Sequence, residues 1–155
     1  MSSRRTWVIG VGNPLRGDDG IGLAVAREAA RRLQGQGVPV VHFEAGGDPL
    51  ALLAELERIE RAVIVDAAEM GEPAGTVRVL PPERAIAAIR RDPLLAHGFG
   101  LGEVLRLAAA AGILPREVSI VGIQPARTEL GEQLSPVLRQ QLPEYVDITC
   151  EEVLG

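Results

Sequence analysis

Residues 6–22 read TWVIGVGNPLRGDDGIG, in which a strand-length apolar run leads into a glycine-rich turn with two adjacent acids. The Trp, Val and Ile residues of the run favour a buried strand from Thr6 to Val11, and the Gly-Asn-Pro cluster predicts a sharp loop after it. From Ile21, an apolar residue at every fourth position predicts an amphipathic helix that continues to Gly35. The stretch therefore predicts a strand, a loop and a helix whose inner face packs on a sheet.

The remainder of the chain continues this alternation of strands and helices. Four further apolar runs predict strands at 38–43, 62–65, 76–80 and 118–123. The helical patterns and their capping residues predict helices at 48–56, 83–91, 101–111 and 136–154, with a loop at 92–100. Pro143 should kink or divide the last helix, and the prolines and charges around 76–80 predict an edge strand. Such alternation predicts a mostly parallel sheet covered by helices on both faces, with functional loops after the strands.

Composition limits the class of protein and its partners. The 155 residues are 46% hydrophobic and 24% charged, which is typical of a globular protein, and we predict one α/β domain over residues 1–155. A net charge of −5 argues against a nucleic-acid partner. The only cysteine, Cys150, excludes an internal disulfide and should pack in the core. We see no signal peptide or membrane span, and we expect a cytoplasmic monomer.

The glycine-rich turn does not fit the common nucleotide-binding motifs. The dinucleotide fingerprint needs a third glycine where Leu15 stands, and the P-loop needs Lys followed by Ser or Thr where Asp18 and Asp19 stand. Two carboxylates at a helix start would also repel phosphate. The turn is instead suited to a cation or a general base. The alternative is that one acid only caps the first helix, and Asp18 is the better candidate for that role.

Two residues further along the chain complete a candidate site. Asp66 follows a short apolar strand and would share a cleft with Asp19 if the first and third strands are neighbours. His97 stands beside glycine in a loop ahead of a helix, whereas His42 lies inside a strand, where a packing role is favoured. Taken singly, Asp66 could cap a turn and His97 could be an incidental loop residue. Together, two carboxylates and one imidazole suit Zn, Ni, Co or Mn with open coordination positions.

The motif at residues 10–19, Gly-x-Gly-Asn-x-Leu-x-x-Asp followed by an acid, resembles that of the hydrogenase maturation endopeptidases, which trim the large subunit of nickel-iron hydrogenases. The resemblance covers nearly the whole chain and continues at 65–67, 97–101, 121–125 and 134–136. It implies that Asp19, Asp66 and His97 bind metal and that Asp19 and Asp66 are catalytic. Some relatives have Glu where Asp19 stands, so the preferred metal is left open.

The resemblance also implies the fold, the substrate and the cofactor. We expect a three-layer sandwich with a mostly parallel five-stranded sheet, of the phosphorylase/hydrolase-like type. The substrate would be the precursor of a hydrogenase large subunit, which loses a C-terminal extension after nickel insertion. Nickel would arrive with the precursor, although a divalent ion such as Ni, Zn or Cd could occupy the site. We assign substrate binding to the loop residues Gly12, Asn13, Gly47 and Asp48.

Two mechanisms and two rival functions are consistent with the sequence. A metal could polarise the scissile carbonyl while Asp19 or Asp66 activates water, or the two acids could work as a pair in which one carboxyl is protonated. The first rival function is a nickel-dependent scaffold protein that binds the immature subunit without cutting it. The second is a nucleotide or phosphate enzyme on the same fold, because fold alone does not determine function.

Overall fold

The computed structural model describes residues 5–90, 100–128, 130–131 and 133–155. Its central element is a sheet of five strands: β1 (Thr6–Val11), β2 (Val40–Gly46), β3 (Arg61–Ala67), β4 (Val77–Leu80) and β5 (Glu117–Ile123). The strands lie in the order β2-β1-β3-β5-β4. Neighbouring strands pair in parallel, except that β4 runs antiparallel to β5 at the edge. The predicted mostly parallel sheet and its edge strand are both confirmed.

Helices cover both faces of the sheet: α1 (Ile21–Gly35), α2 (Leu53–Leu56), α3 (Pro82–Ala88), α4 (Leu101–Ala111) and α5 (Pro136–Leu154). One core lies between the sheet and the pair α1 and α5, and a second lies between the sheet and α2, α3 and α4. Side chains alternate along β3, so Val63 and Val65 enter the first core while Ala62 and Ile64 enter the second. The three-layer architecture is therefore the one that the sequence predicted.

The ends of several elements differ from the prediction for local reasons. The strand expected from residue 38 begins at Val40, because the N–H of Val38 still bonds to the carbonyl of Leu33 and completes the end of α1. Pro39, which has no N–H, separates this helix end from the strand. The helix expected to reach residue 91 ends at Ala88, and the expected loop at 92–100 lies outside the described residues apart from Gly100.

Pro143 was predicted to kink or divide the last helix, and the division is wrong, because α5 is continuous through this residue. Pro143 and Arg139, whose carbonyl would have accepted the missing N–H, are both exposed. Water can therefore satisfy the freed carbonyl, while Leu138 and Tyr145 hold the helix in the core on either side. In the part of the chain that the structure describes, no helix combines the length and apolar character needed to cross a membrane.

Candidate active site

A cavity of about 540 Å³ lies at the carboxyl ends of β1 and β3. In the strand order, the chain leads from β1 to β2 on one side of this pair and from β3 to β4 on the other. Such a reversal of strand order is where open α/β sheets bind their ligands. The described lining comes from the loops after β1, β2 and β5, the end of β3, and the facing ends of α3 and α4. The cavity is therefore the candidate site by topology as well as by shape.

Asp19 and Asp66 both line this cavity, as the sequence predicted. Asp66 lies near the end of β3 and is only 7% exposed. Its burial, and then the negative charge of Asp19, raise the pKa of Asp66 well above the usual value of 3.8. Asp19 is partly exposed, and its Oδ2 accepts a hydrogen bond of 2.8 Å from the N–H of Asn13. The two carboxyls thus interact electrostatically but lie in unlike environments.

Two glycines allow the segments that carry these acids to approach each other. A Cβ on Gly12 would lie 1.9 Å from the carbonyl oxygen of Asp19, and its φ of +143° disfavours other residues. A Cβ on Gly22 would lie 2.3 Å from the carbonyl oxygen of Val11 and 2.4 Å from that of Val65. The start of α1 therefore rests directly on the ends of β1 and β3. No role for Gly22 was predicted from the sequence, although a glycine inside a helix start was an available signal.

Asp18 does not cap α1, so that interpretation of the sequence is wrong. Gly20 occupies the N-cap position without a side-chain hydrogen bond, after a 3-10 turn at Gly17–Gly20. The Asp18 carboxylate is fully buried and accepts the N–H groups of Ala126 and Arg127 at 2.8 and 2.9 Å, and that of Ser135 at 2.6 Å. Asp18 therefore joins the loop after β1 to the loop after β5 and to the start of α5.

The environment of Asp18 leads to a prediction about acid stability. Burial alone raises its pKa, but the amide donors of Ser135, Arg127 and Ala126 outweigh it, so the pKa lies below 3.8. A carboxyl whose pKa is lowered by folding stabilises the protein at a pH above its unfolded-state pKa. This stabilisation is lost as the pH falls through the folded-state pKa. We expect Asp18→Asn to cost about 2 to 3 kcal/mol at pH 7, because an amide would turn a donor toward these N–H groups.

Urea unfolding between pH 7 and pH 2 tests this expectation. The free energy of unfolding of the wild type should fall more steeply than that of Asp18→Asn as the pH drops below about 4. Parallel curves for the two proteins would mean that the Asp18 carboxylate is not held ionised by these contacts.

The predicted substrate-binding residues divide into two pairs. Gly12 and Gly47 belong to the cavity lining, whereas Asn13 and Asp48 are absent from its described part. Asn13 Oδ1 accepts the N–H of Leu15 at 2.9 Å, and Asp48 Oδ1 accepts the N–H of Leu50 at 3.0 Å. Both side chains therefore stabilise turns beside the cavity. Substrate binding by the four residues remains a prediction.

His97, the predicted third metal ligand, lies outside the described residues. The convergence of Asp19, Asp66 and His97 on one ion therefore remains a prediction. Within the described ranges, no three His, Cys, Asp or Glu side chains are grouped closely enough to hold a metal. His42 lies on the edge strand β2, with its Nε2 3.6 Å from Oε1 of Glu44, and does not belong to the described cavity lining.

Comparison with known proteins identifies the family. A family model described as hydrogenase maturation protease matches residues 23–152. The chain belongs to the hydrogenase maturation protease family. It is 29% identical over 150 residues to the hydrogenase expression/formation protein HupD of Bradyrhizobium diazoefficiens. The alignment covers 95% of this chain and 77% of that protein.

Two solved structures are also similar to this hydrogenase maturation protease. The maturating endopeptidase HybD from E. coli has a TM-score of 0.78 and 22% identity, covering 97% of this chain and 92% of that one. The hydrogenase 2 maturation peptidase from a Thaumarchaeota archaeon has a TM-score of 0.65 and 28% identity, covering 97% and 98% of the two chains. The predicted family and fold are confirmed, and the activity of the family is proteolysis.

The cavity of this maturation protease extends well beyond its two acids. Ile86, Ile89 and Leu101 give it an apolar wall, while Arg90 and Arg106 are exposed and also belong to its lining. Its volume of about 540 Å³ is within the range of pockets that enclose drug-sized ligands. The space is therefore sufficient for several residues of an extended peptide beside the carboxyl pair.

Proposed function

We propose that this protein is an endopeptidase that removes a C-terminal extension from the precursor of a nickel-iron hydrogenase large subunit, after nickel insertion. One observation carries the proposal. In a chain of the hydrogenase maturation protease family, Asp19 and Asp66 line one cavity at the ends of adjacent parallel strands. Two carboxyls in unlike environments at such a position are suited to acid and base roles in peptide hydrolysis.

The environments of the two acids support a division of roles. Asp66 is the carboxyl on which a proton is favoured, because burial and the charge of Asp19 raise its pKa. In the proposed reaction, Asp19 accepts a proton from the attacking water, and Asp66 supplies a proton to the nitrogen of the departing peptide. The water oxygen first adds to the carbonyl carbon and forms the new C–O bond. The C–N bond then breaks as the nitrogen takes the proton from Asp66, so the products are the trimmed subunit and the free extension.

Nickel belongs to the substrate in this proposal. Asp19, Asp66 and His97 would contact the ion that the precursor already holds during recognition. Because a carboxyl releases its proton when it binds a metal, Asp66 must leave the ion and take up a proton before it acts as the acid. Two carboxylates and one imidazole lack the additional histidine or cysteine ligands of most tightly held zinc sites. The set is suited to an ion that is shared during recognition of the precursor.

The nickel dependence of cleavage tests the proposed function. We expect nickel-loaded precursor to lose a C-terminal fragment, measured as a mass difference, while nickel-free precursor stays intact at the same enzyme concentration. His97→Ala should weaken recognition of the loaded form. Equal cleavage of both forms would favour a protease with its own ion or an unassisted acid pair. Binding of the loaded precursor without any cleavage would instead favour a scaffold protein.

We further propose that the protein acts as a monomer in the cytoplasm, without nucleic-acid or membrane partners. The net charge of −5 and the single, buried cysteine support this assignment. Size-exclusion chromatography with light scattering would measure the oligomeric state directly.

A further inference from the structure

Three exposed apolar residues lie on the loops after β1 and β5, close in sequence to residues that line the cavity: Pro14, Leu15 and Leu130, here called the rim patch. The exposed fraction is 55% for Leu15 and 88% for Leu130. Their two segments are joined by backbone hydrogen bonds, of which the one from the N–H of Gly131 to the carbonyl of Leu15 measures 2.8 Å. Each segment also reaches the cavity, through Gly12 on one side and Thr128 on the other. The rim patch therefore lies on the same two loops that contribute Gly12 and Thr128 to the candidate active site.

Residues next to the rim patch are held in place by partly buried polar contacts. The Asp18 carboxylate binds the N–H groups of Ala126 and Arg127, and its own N–H bonds to the carbonyl of Arg127 at 2.7 Å. Nε of Arg16 donates to the carbonyl of Thr128 at 3.2 Å. An apolar surface on a fixed backbone loses little conformational freedom when a partner binds it. Such preorganisation is suited to a docking site.

We infer that the rim patch is a docking surface for the folded body of the precursor whose tail enters the cavity. The inference rests on the proposed function. A cavity of about 540 Å³ admits a peptide but not a folded subunit, so the body of the precursor must remain outside, against the rim. Apolar patches exposed at such positions mark protein contacts, since covering them removes apolar surface from water. The occupant is therefore an apolar surface of the precursor next to the point where its tail leaves the fold.

Steady-state kinetics on nickel-loaded precursor test the docking surface. The double variant Leu15→Ser/Leu130→Ser should raise KM about tenfold or more and leave kcat within about twofold, because docking acts before the chemical step. Leu130→Ser alone should give a smaller increase in KM. Its side chain is 88% exposed, so this variant keeps the test independent of folding.

Leu154→Ser is the matched control. Leu154 is 59% exposed at the end of α5, and the adjacent Val153 carbonyl accepts a hydrogen bond from Arg61 at the start of β3. Leu154 therefore lies near the amino end of β3, whereas Asp66 lies near its carboxyl end. The control should show the kcat and KM of the wild type.

Four other outcomes would contradict either the docking surface or the proposed function. If the wild type cleaves the precursor and the double variant has the same KM, the docking inference fails while the proposed function stands. A lower kcat at unchanged KM would mean that the patch only supports the catalytic loop, which also overturns docking. A wild-type dimer that the double variant converts to a monomer would assign the patch to a second copy of this chain. Failure of the wild type to cut any loaded precursor would instead reject the proposed function.

Discussion

Asp66→Asn is expected to lower the rate of precursor processing by at least about 10³-fold while leaving the protein folded. The amide cannot deliver the proton that the proposed mechanism requires, and it is a poor metal ligand. Asparagine has nearly the same shape as aspartate and keeps an oxygen that can accept the N–H of Ala67, which contacts the native carboxylate. Loss of activity with an intact fold would therefore assign the carboxyl to chemistry. The measurement is single-turnover cleavage of nickel-loaded precursor, followed by mass spectrometry.

The stability of this variant provides a second readout. The pKa of Asp66 is higher in the folded protein than in the unfolded chain. Its contribution to stability is therefore greatest at a pH below the unfolded-state pKa, and it is lost as the pH rises through the folded-state pKa. Asp66→Asn removes that dependence, so the variant should be at least as stable as the wild type at neutral pH. Asp19→Asn should also lose processing. Wild-type rates in both variants would reduce the two acids to structural residues.

Gly22→Ala is expected to destabilise the protein by about 3 kcal/mol and to lower processing at least about 100-fold. The added methyl group would meet two backbone carbonyl oxygens, those of Val11 and Val65, at 2.3 and 2.4 Å. Backbone oxygens in paired strands cannot move aside as a flexible side chain can. The start of α1 would have to shift away from β1 and β3, which would separate the segments that carry Asp19 and Asp66. Thermal unfolding and single-turnover cleavage measure the two effects.

Gly35→Ala is the control for this prediction. Gly35 lies in the last turn of the same helix, and a Cβ there would meet no atom within 4 Å. Alanine favours helix more than glycine does, so this variant should be more stable than the wild type by up to about 1 kcal/mol and fully active. If Gly22→Ala matched this control in both measurements, the close packing of α1 on the two strands would not be needed for activity.

The parts of the fold that depend on local sequence were predicted well. The bounds of β1 and α1 were correct, since an apolar run, a glycine-rich loop and a four-residue repeat are all visible within residues 6–35. The approach of Asp19 and Asp66 was also predictable, because both acids come at or after the ends of strands that a doubly wound sheet places side by side.

The role of Asp18 could not be predicted by the same reasoning. A carboxylate at a helix start satisfies the local rule for a cap, whereas its actual donors are 108 to 117 residues away along the chain. Gly22 shows the same limit, because its requirement comes from the carbonyl oxygens of Val11 and Val65, and the local sequence does not show how closely the start of α1 approaches them. In both cases a contact distant in sequence determines what the residue does.

Because Cys150 is buried, thiol reagents can reach it only when the core of this enzyme opens. The thiol lies between α1 and α5 with Sγ 3.8 Å from the carbonyl of Ala29, and burial raises its pKa. Alkylating reagents react with exposed thiolate, so labelling in native buffer requires the two helices to part. Because the chain has no other cysteine, each labelled molecule reports a single opening event. Cys150 is therefore an intrinsic probe of local opening in the native protein, and no labelling site needs to be engineered.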